Sequence, residues 1–298
     1  MFSSPFFRAL PVALALALAS SACAREPRRL AARTADDFGD TLSSGAAPHR
    51  IVSLNPSTTE LLFAIGAGKR LVGRTTYDQW PVAARAVPDL GPGLRPNVEA
   101  VLAVHPDLVV LYASDDNRDA ARRLRAAGVP TAAFRVDRIA DFERVTRALG
   151  VLTGDTTAAR TTVDSVRRTL DRVRTATASL PHPTVFWPLY DQPLLATGSG
   201  SYLNELIDIA GGRNVYGFMK EPSPRVTFED LTQRDPDVVL TSPESRTRYL
   251  ADPRWLALRA VRDGHLLVVD TALVLRPGPR LGEAARSMAL LLHPGSVR

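Results

Sequence analysis

The stretch Glu99-Ala-Val-Leu-Ala-Val-His-Pro106-Asp107-Leu108-Val109-Val110-Leu111 has a second copy in the other half of the chain, Glu229-Asp-Leu-Thr-Gln-Arg-Asp-Pro236-Asp237-Val238-Val239-Leu240. In both, a glutamate stands seven positions before a Pro-Asp pair and an apolar run follows. The glutamate suits the first turn of a short helix, where the helix dipole favours a negative charge. The proline punctuates that helix, and the Val/Leu run reads as a buried strand. The segments upstream match as well. Glu60-Leu61-Leu62 reaches Gly66, and Glu205-Leu206-Ile207 reaches Gly211, each six residues after the glutamate. Repeated supersecondary units predict two related lobes.

Outward from these copies, short strands alternate with helices. In the first half Ile51–Leu54 is a strand pattern, and Asn55-Pro56-Ser57 turns the chain into a helix with Leu61, Leu62 and Ile65 on one stripe. Strands follow at Leu71–Gly73, Leu108–Leu111 and Thr131–Phe134, with helices at Val98–Val104 and Arg118–Ala127. In the second half the alternation restarts: strands at Thr184–Trp187, Val238–Thr241 and Leu266–Asp270, helices at Ser201–Ala210, Phe228–Gln233 and Arg280–Leu292. The pattern predicts α/β lobes with mostly parallel sheets. Between them, Thr156–Ala178 contains no Gly or Pro, and Val163, Val166, Leu170 and Val173 form one helical stripe. At 1.5 Å per residue this is a rod of roughly 35 Å. It reads as a helix joining two lobes, or alternatively as a long helix packed within one domain. The expected organisation is a signal segment at 1–23, a flexible tether at 24–49, an N-terminal lobe at 50–154, a connecting helix at 155–181 and a C-terminal lobe at 182–298.

Composition narrows the function. The chain has 298 residues, 45% of them hydrophobic, enough for two lobes with their own cores. Its formal net charge is +6, carried almost wholly by scattered arginines, with lysine only at Lys69 and Lys220. No basic run with interleaved aromatics occurs, which argues against nucleic-acid binding. Met1–Arg8 is short and basic, Ala9–Ala19 is apolar, and small residues lead to Cys23, the only cysteine. This is the pattern of an export signal. Cys23 resembles the modified cysteine of a bacterial lipobox, although Ser20 stands where leucine is usual; cleavage nearby with loss of Cys23 is the alternative. The histidines (His49, His105, His182, His265, His293) lack metal-ligand spacing, and no nucleophile elbow or Walker loop is present. No catalytic, metal or cofactor site is therefore expected. Gly198-Ser199-Gly200-Ser201 opens a helix, with Ser201 as its cap rather than as part of an anion site.

Several motifs together resemble a family. Arg50-Ile51-Val52-Ser53-Leu54-Asn55-Pro56-Ser57 with Thr59-Glu60-Leu61 is similar to the opening of class III periplasmic solute-binding proteins of ABC importers. So are Pro96-Asn97-Val98-Glu99, Pro106-Asp107-Leu108-Val109 and Gly211-Gly212-Arg213-Asn214-Val215. The resemblance covers about residues 49 to 293 and is nearest to the cobalamin-binding branch. It implies two lobes on a rigid backbone helix, little lobe closure, and one glutamate per lobe, here Glu99 and Glu229, pairing with arginines of an ABC permease dimer. It implies a monomeric receptor outside the cytoplasm rather than an enzyme, lipid-anchored if Cys23 is modified, with a corrinoid such as cobalamin as ligand and haem or a ferric siderophore as alternatives. A flat macrocycle needs aromatic walls and a few polar contacts. The family places contacts in the loop Thr75–Pro81, which offers Tyr77 and Trp80; Trp187 and Tyr190 are candidates for the facing wall. Arg95 and Arg276 are candidate polar contacts, core burial being the competing role for the aromatics and a solvated or helix-capping position for Arg276. Two features depart from the family: neither Gly91–Arg95 nor Phe218–Arg225 supplies a tryptophan, and no acidic residue matches near Arg276.

Overall fold

Each Pro-Asp pair ties two neighbouring strands together. The Asp107 carboxylate accepts backbone N–H bonds from His49 and Arg50 at 2.7 and 2.8 Å, at the start of the first strand of its lobe. Asp237 does the same for Thr184, accepting from its backbone N–H at 2.9 Å and its hydroxyl at 2.6 Å. Those two bonds, with Arg259 beside them, pull the Asp237 carboxyl down to about 2. The residues before the two prolines, His105 and Asp235, both turn left-handed, with φ of 46° and 37°. The duplication thus extends to the backbone.

The computed structural model describes Met1 and residues 35–42 and 45–295. The rest of the signal segment, Cys23 included, lies outside them. The N-terminal lobe runs β1 (Ile51–Leu54), α1 (Pro56–Ala64), β2 (Leu71–Gly73), α2 (Val98–Ala103), β3 (Leu108–Tyr112), α3 (Asp115–Ala126), β4 (Thr131–Phe134) and α4 (Ile139–Thr153). After α5 (Thr156–Thr177), the second lobe runs β5 (Thr184–Phe186), β6 (Pro188–Asp191), β7 (Leu194–Ala196), α6 (Tyr202–Ile209), β8 (Arg213–Asn214), α7 (Phe228–Arg234), β9 (Val238–Thr241) and α8 (Pro243–Ala251). The one-turn helices α9 (Pro253–Leu256) and α10 (Arg259–Arg262) follow, then β10 (Leu266–Val268), α11 (Thr271–Val274) and α12 (Leu281–Leu292).

The strands form two four-stranded parallel sheets, ordered β2-β1-β3-β4 and β8-β5-β9-β10. Matched by position, β1, β2, β3 and β4 correspond to β5, β8, β9 and β10, so both lobes use one topology. Asn55 and Ser201 cap α1 and α6 with their side-chain oxygens. Gly66 and Gly211 follow those helices at φ of 90° and 79°, a region open to glycine at little steric cost. The strand expected at Thr184–Trp187 ends at Phe186, because Pro188 opens an antiparallel hairpin, β6–β7, outside the main sheet.

Helix α5 packs against α4, α6 and α12. Its buried stripe of Ala159, Val163, Val166, Leu170, Val173 and Thr177 belongs to neither lobe alone. A single apolar cluster runs from Leu61 and Phe134 through that stripe to Leu206 and Met288. A rod buried on one face against helices of both lobes resists bending, since bending it would open packed contacts on both sides.

The described part of the stretch expected to be a tether is docked. Asp37 N–H donates to Ala133 O at 2.9 Å, and Ala133 and Arg135 N–H donate back to the carboxylates of Asp36 and Asp37. Phe38 lies under the Arg118 guanidinium, 4.5 Å from its carbon, and Asp40 pairs with Arg125 at 2.5 Å. The segment covers the open edge of β4, supplying hydrogen-bond partners to an otherwise bare strand.

Candidate functional site

In parallel sheets the loops at the strand C-termini carry the ligands. In the second lobe these loops enclose a cavity of about 750 Å³. Its walls include Trp187, Tyr190, Arg248, Tyr249, Trp255 and Leu275. Tyr249 and Trp255 stack with centroids 3.8 Å apart and planes 13° apart, and Phe228 meets Trp255 edge-on. The Tyr249 hydroxyl donates to Asp191, which Arg248 also pairs with; burial first and then this bond push the phenol up, so Tyr249 stays neutral and a donor. The cavity thus lies over a stacked aromatic pair that is itself almost wholly buried, with the exposed Tyr190 and charged groups at its rim, a combination that orients a large ligand with polar edges.

In the first lobe the loop after β2 is wound on Asp78. This carboxylate is 1% exposed and accepts the Thr75 N–H at 2.6 Å, while Asp78 N–H returns to Thr75 O at 3.2 Å. The turn projects Tyr77, 56% exposed, and Trp80, half-buried. Burial raises the Asp78 carboxyl to about 6, outweighing the Thr75 hydrogen bonds that lower it. Arg276 donates to Tyr77 O at 2.7 Å, and its neighbour Leu275 lines the cavity, so this loop and the cavity meet across one short C-lobe segment.

The candidate ligand residues therefore fall into three situations. Tyr77, Trp80 and Arg276 are gathered at one point between the lobes. Trp187 and Tyr190 line the cavity, but Trp187 is 3% exposed and belongs to the core as well, whereas Tyr190 is 59% exposed. Arg95 stands apart from both groups: its exposed side chain pairs with Asp116 at 2.7 Å, from a left-handed backbone at φ 49°. Glu99 and Glu229 both stand exposed in first helical turns, on α2 and α7. Glu99 pairs with Arg123 at 2.6 Å. Among the described residues no cluster of three or more His, Cys, Asp or Glu is placed to hold a metal ion.

Sequence reasoning did not single out Arg248, Tyr249, Trp255, Asp78 or Arg280. A Trp and a Tyr six residues apart on two separate short helices carry no periodic signal, and only the turn between those helices stacks them. For Glu60 a signal existed, since it repeats as Glu205.

Residues 51–273 match the model of the family described as periplasmic binding protein. An uncharacterized ABC transporter substrate-binding lipoprotein of Bacillus subtilis (strain 168) is 27% identical over 261 residues, covering 84% of this chain and 82% of its own. A cobalamin-binding protein of Halobacterium salinarum is 28% identical over 279 residues, covering 88% of this chain and 74% of its own. The crystal structure of a periplasmic heme-binding protein from Pseudomonas aeruginosa superposes with a TM-score of 0.73 at 27% identity, covering 84% of this chain and 94% of that one.

Proposed function

The chain belongs to the periplasmic binding protein family, and from that premise we propose that it is an extracytoplasmic receptor that delivers cobalamin or a related corrinoid to an ABC importer. The observation that carries the reading is the aromatic-floored cavity of about 750 Å³ at the strand C-termini, facing the Tyr77–Trp80 loop of the other lobe. A corrin ring offers wide apolar faces for such walls and amide edges for Arg248 and Asp191. The cobalamin-binding relative from Halobacterium salinarum supports the corrinoid over haem; the Pseudomonas aeruginosa structure makes haem the specific competitor.

Delivery requires a partner, and Glu99 and Glu229 are the proposed docking posts. Carboxylates on the first turns of matching helices, one per lobe, suit bidentate arginine partners. Such pairs set orientation and encounter rate more than affinity. Cys23 is the proposed lipid-attachment residue, and mass spectrometry of the native N-terminal peptide checks it.

Purified protein is mixed separately with cyanocobalamin, haem and a ferric siderophore, then desalted. Retention of cyanocobalamin at stoichiometric level is expected; retention of haem or siderophore in its place, or of none, overturns the corrinoid reading. In cells, Glu99→Ala with Glu229→Ala abolishes uptake while cyanocobalamin affinity stays within twofold. Undiminished uptake removes the docking assignment.

A further inference from the structure

The two glutamates that repeat on α1 and α6 each cross to the other lobe, and they do so in matching ways. Glu205 of α6 takes Arg138, the N-cap of α4, through Nε at 3.0 Å and Nη2 at 2.6 Å, and also accepts the Ile139 N–H at 2.7 Å. Glu60 of α1 takes Arg280, the N-cap of α12, through Nε at 3.3 Å and Nη2 at 3.0 Å. Each glutamate sits on the first repeated helix of its lobe, and each arginine starts the last helix of the other.

The two bridges differ in what stands over them. The Glu205 bridge is open to solvent on the Arg138 side. The Glu60 bridge is sealed: the glutamate is 1% exposed, and the turn Arg276-Pro277-Gly278-Pro279-Arg280 closes over it. Gly278 comes so near that a Cβ there would lie 3.3 Å from Glu60 Oε2. From this anchorage both arginines reach the ligand loop. The Arg280 guanidinium stacks 4.6 Å from the Trp80 ring centroid, and Arg276, 4.0 Å from Glu60, holds Tyr77 O. Burial raises the Glu60 carboxyl while Arg280 opposes the shift, as expected for a bidentate buried pair.

We propose that Glu60, Arg280 and Arg276 form a cross-lobe latch that positions the Tyr77–Trp80 wall against the ligand, so that separating the lobes releases the wall. The proposal rests on the receptor reading above and deepens it: a partner that grips one post on each lobe and parts them would break this bridge and loosen the ligand. The three side chains act through Tyr77 and Trp80 and are positioning residues. The Glu205–Arg138 bridge is the built-in control, since it joins the lobes without touching the wall.

The test compares Glu60→Gln, Arg280→Lys and Glu205→Gln in the full chain, with Glu60→Gln/Arg280→Met, which removes both charges together, for the case in which a single change prevents folding. Hydrogen exchange in the ligand-free proteins is read first. Amides of Thr75, Tyr77 and Asp78 are expected to exchange at least tenfold faster in the Glu60 and Arg280 variants, with α5 unchanged, and at the wild-type rate in Glu205→Gln. Cyanocobalamin is then expected to dissociate at least tenfold faster from the Glu60 and Arg280 variants and within twofold of wild type from Glu205→Gln. Wild-type exchange at 75–78 in folded Glu60→Gln, or in the folded double variant, overturns the latch, as does equal acceleration in Glu205→Gln. If the wild type binds no cyanocobalamin, the corrinoid reading fails, and the exchange result still decides the latch.

Discussion

Replacing Asp78 by asparagine stabilises this protein at neutral pH, although it alters a buried, hydrogen-bonded residue. The carboxyl stands at about 6 in the folded chain against 3.8 for the free group, chiefly because burial penalises its charge. At about 1.4 kcal/mol per unit, keeping it ionised costs the native state about 3 kcal/mol at pH 7.5. Between the two values the native state binds more protons than the unfolded chain, so this group lowers stability as pH rises from about 4 to about 6. The amide preserves the Thr75 N–H bond through its carbonyl. It also replaces Oδ1 by an NH2 close to the Thr59 hydroxyl, which can rotate to accept from it. The attraction to Arg74 is already contained in that shift, so what offsets part of the gain is the desolvation of the newly buried NH2. The expected net effect is about 1–2 kcal/mol of added stability at pH 7.5, falling toward zero at pH 4. Urea unfolding of both proteins at pH 4, 5, 6 and 7.5 measures it. A variant less stable than wild type by 1 kcal/mol at pH 7.5, or a difference that does not change with pH, refutes the reasoning.

Asp36→Ala strips three backbone N–H groups, those of Phe38, Asp40 and Ala133, of one acceptor each. A loss of about 2–3 kcal/mol is expected, with faster exchange of the Ala133 amide; an unchanged amide would show the strap to be dispensable. Gly282→Ala tests the seam between α5 and α12, where a Cβ would lie 2.7 Å from Thr169 Cβ. Alanine's helix propensity contributes about 1 kcal/mol, but overpacking between two closely packed helices costs about 1–3 kcal/mol, so a net loss of about 1 kcal/mol is expected on thermal unfolding.

What could be read in the chain was what repeats or alternates. The seven-residue interval from Glu99 and Glu229 to Pro-Asp marks both lobes, because each copy needs the same carboxylate to hold its first strand. The α5 stripe is legible for the same reason, as a period of three and four. What escaped depends on distant partners. Asp36 and Phe38 sit in a polar, aperiodic stretch, and their role is visible only when β4, almost a hundred residues on, presents a bare edge. Arg276 reads as a polar ligand contact or a helix cap; the carbonyl it bonds belongs to Tyr77, 199 residues away. The Tyr249–Trp255 stack follows from the turn at Asp252, whose side chain accepts the Arg254 N–H and starts a new helix at an angle to α8.

The duplication also explains why the lobes are joined as they are. When one unit is copied and the copies are related by an approximate two-fold rotation, a contact made by residue i of one lobe on residue j of the other is matched by j on i, as in an isologous dimer. Glu60–Arg280 and Glu205–Arg138 are such a pair. A symmetric pair of bridges needs no further cause than symmetry, so their existence alone says nothing about ligand. The asymmetry does. Only the Glu60 bridge is buried beneath a turn, and only its arginine stacks on an aromatic of the ligand loop. A buried ion pair carries a desolvation penalty that often cancels its attraction, so it is weak grounds for stability. Its burial at the one place where both lobes meet the Tyr77–Trp80 wall is better accounted for by geometry: the bidentate fork fixes where the wall stands relative to the opposite lobe.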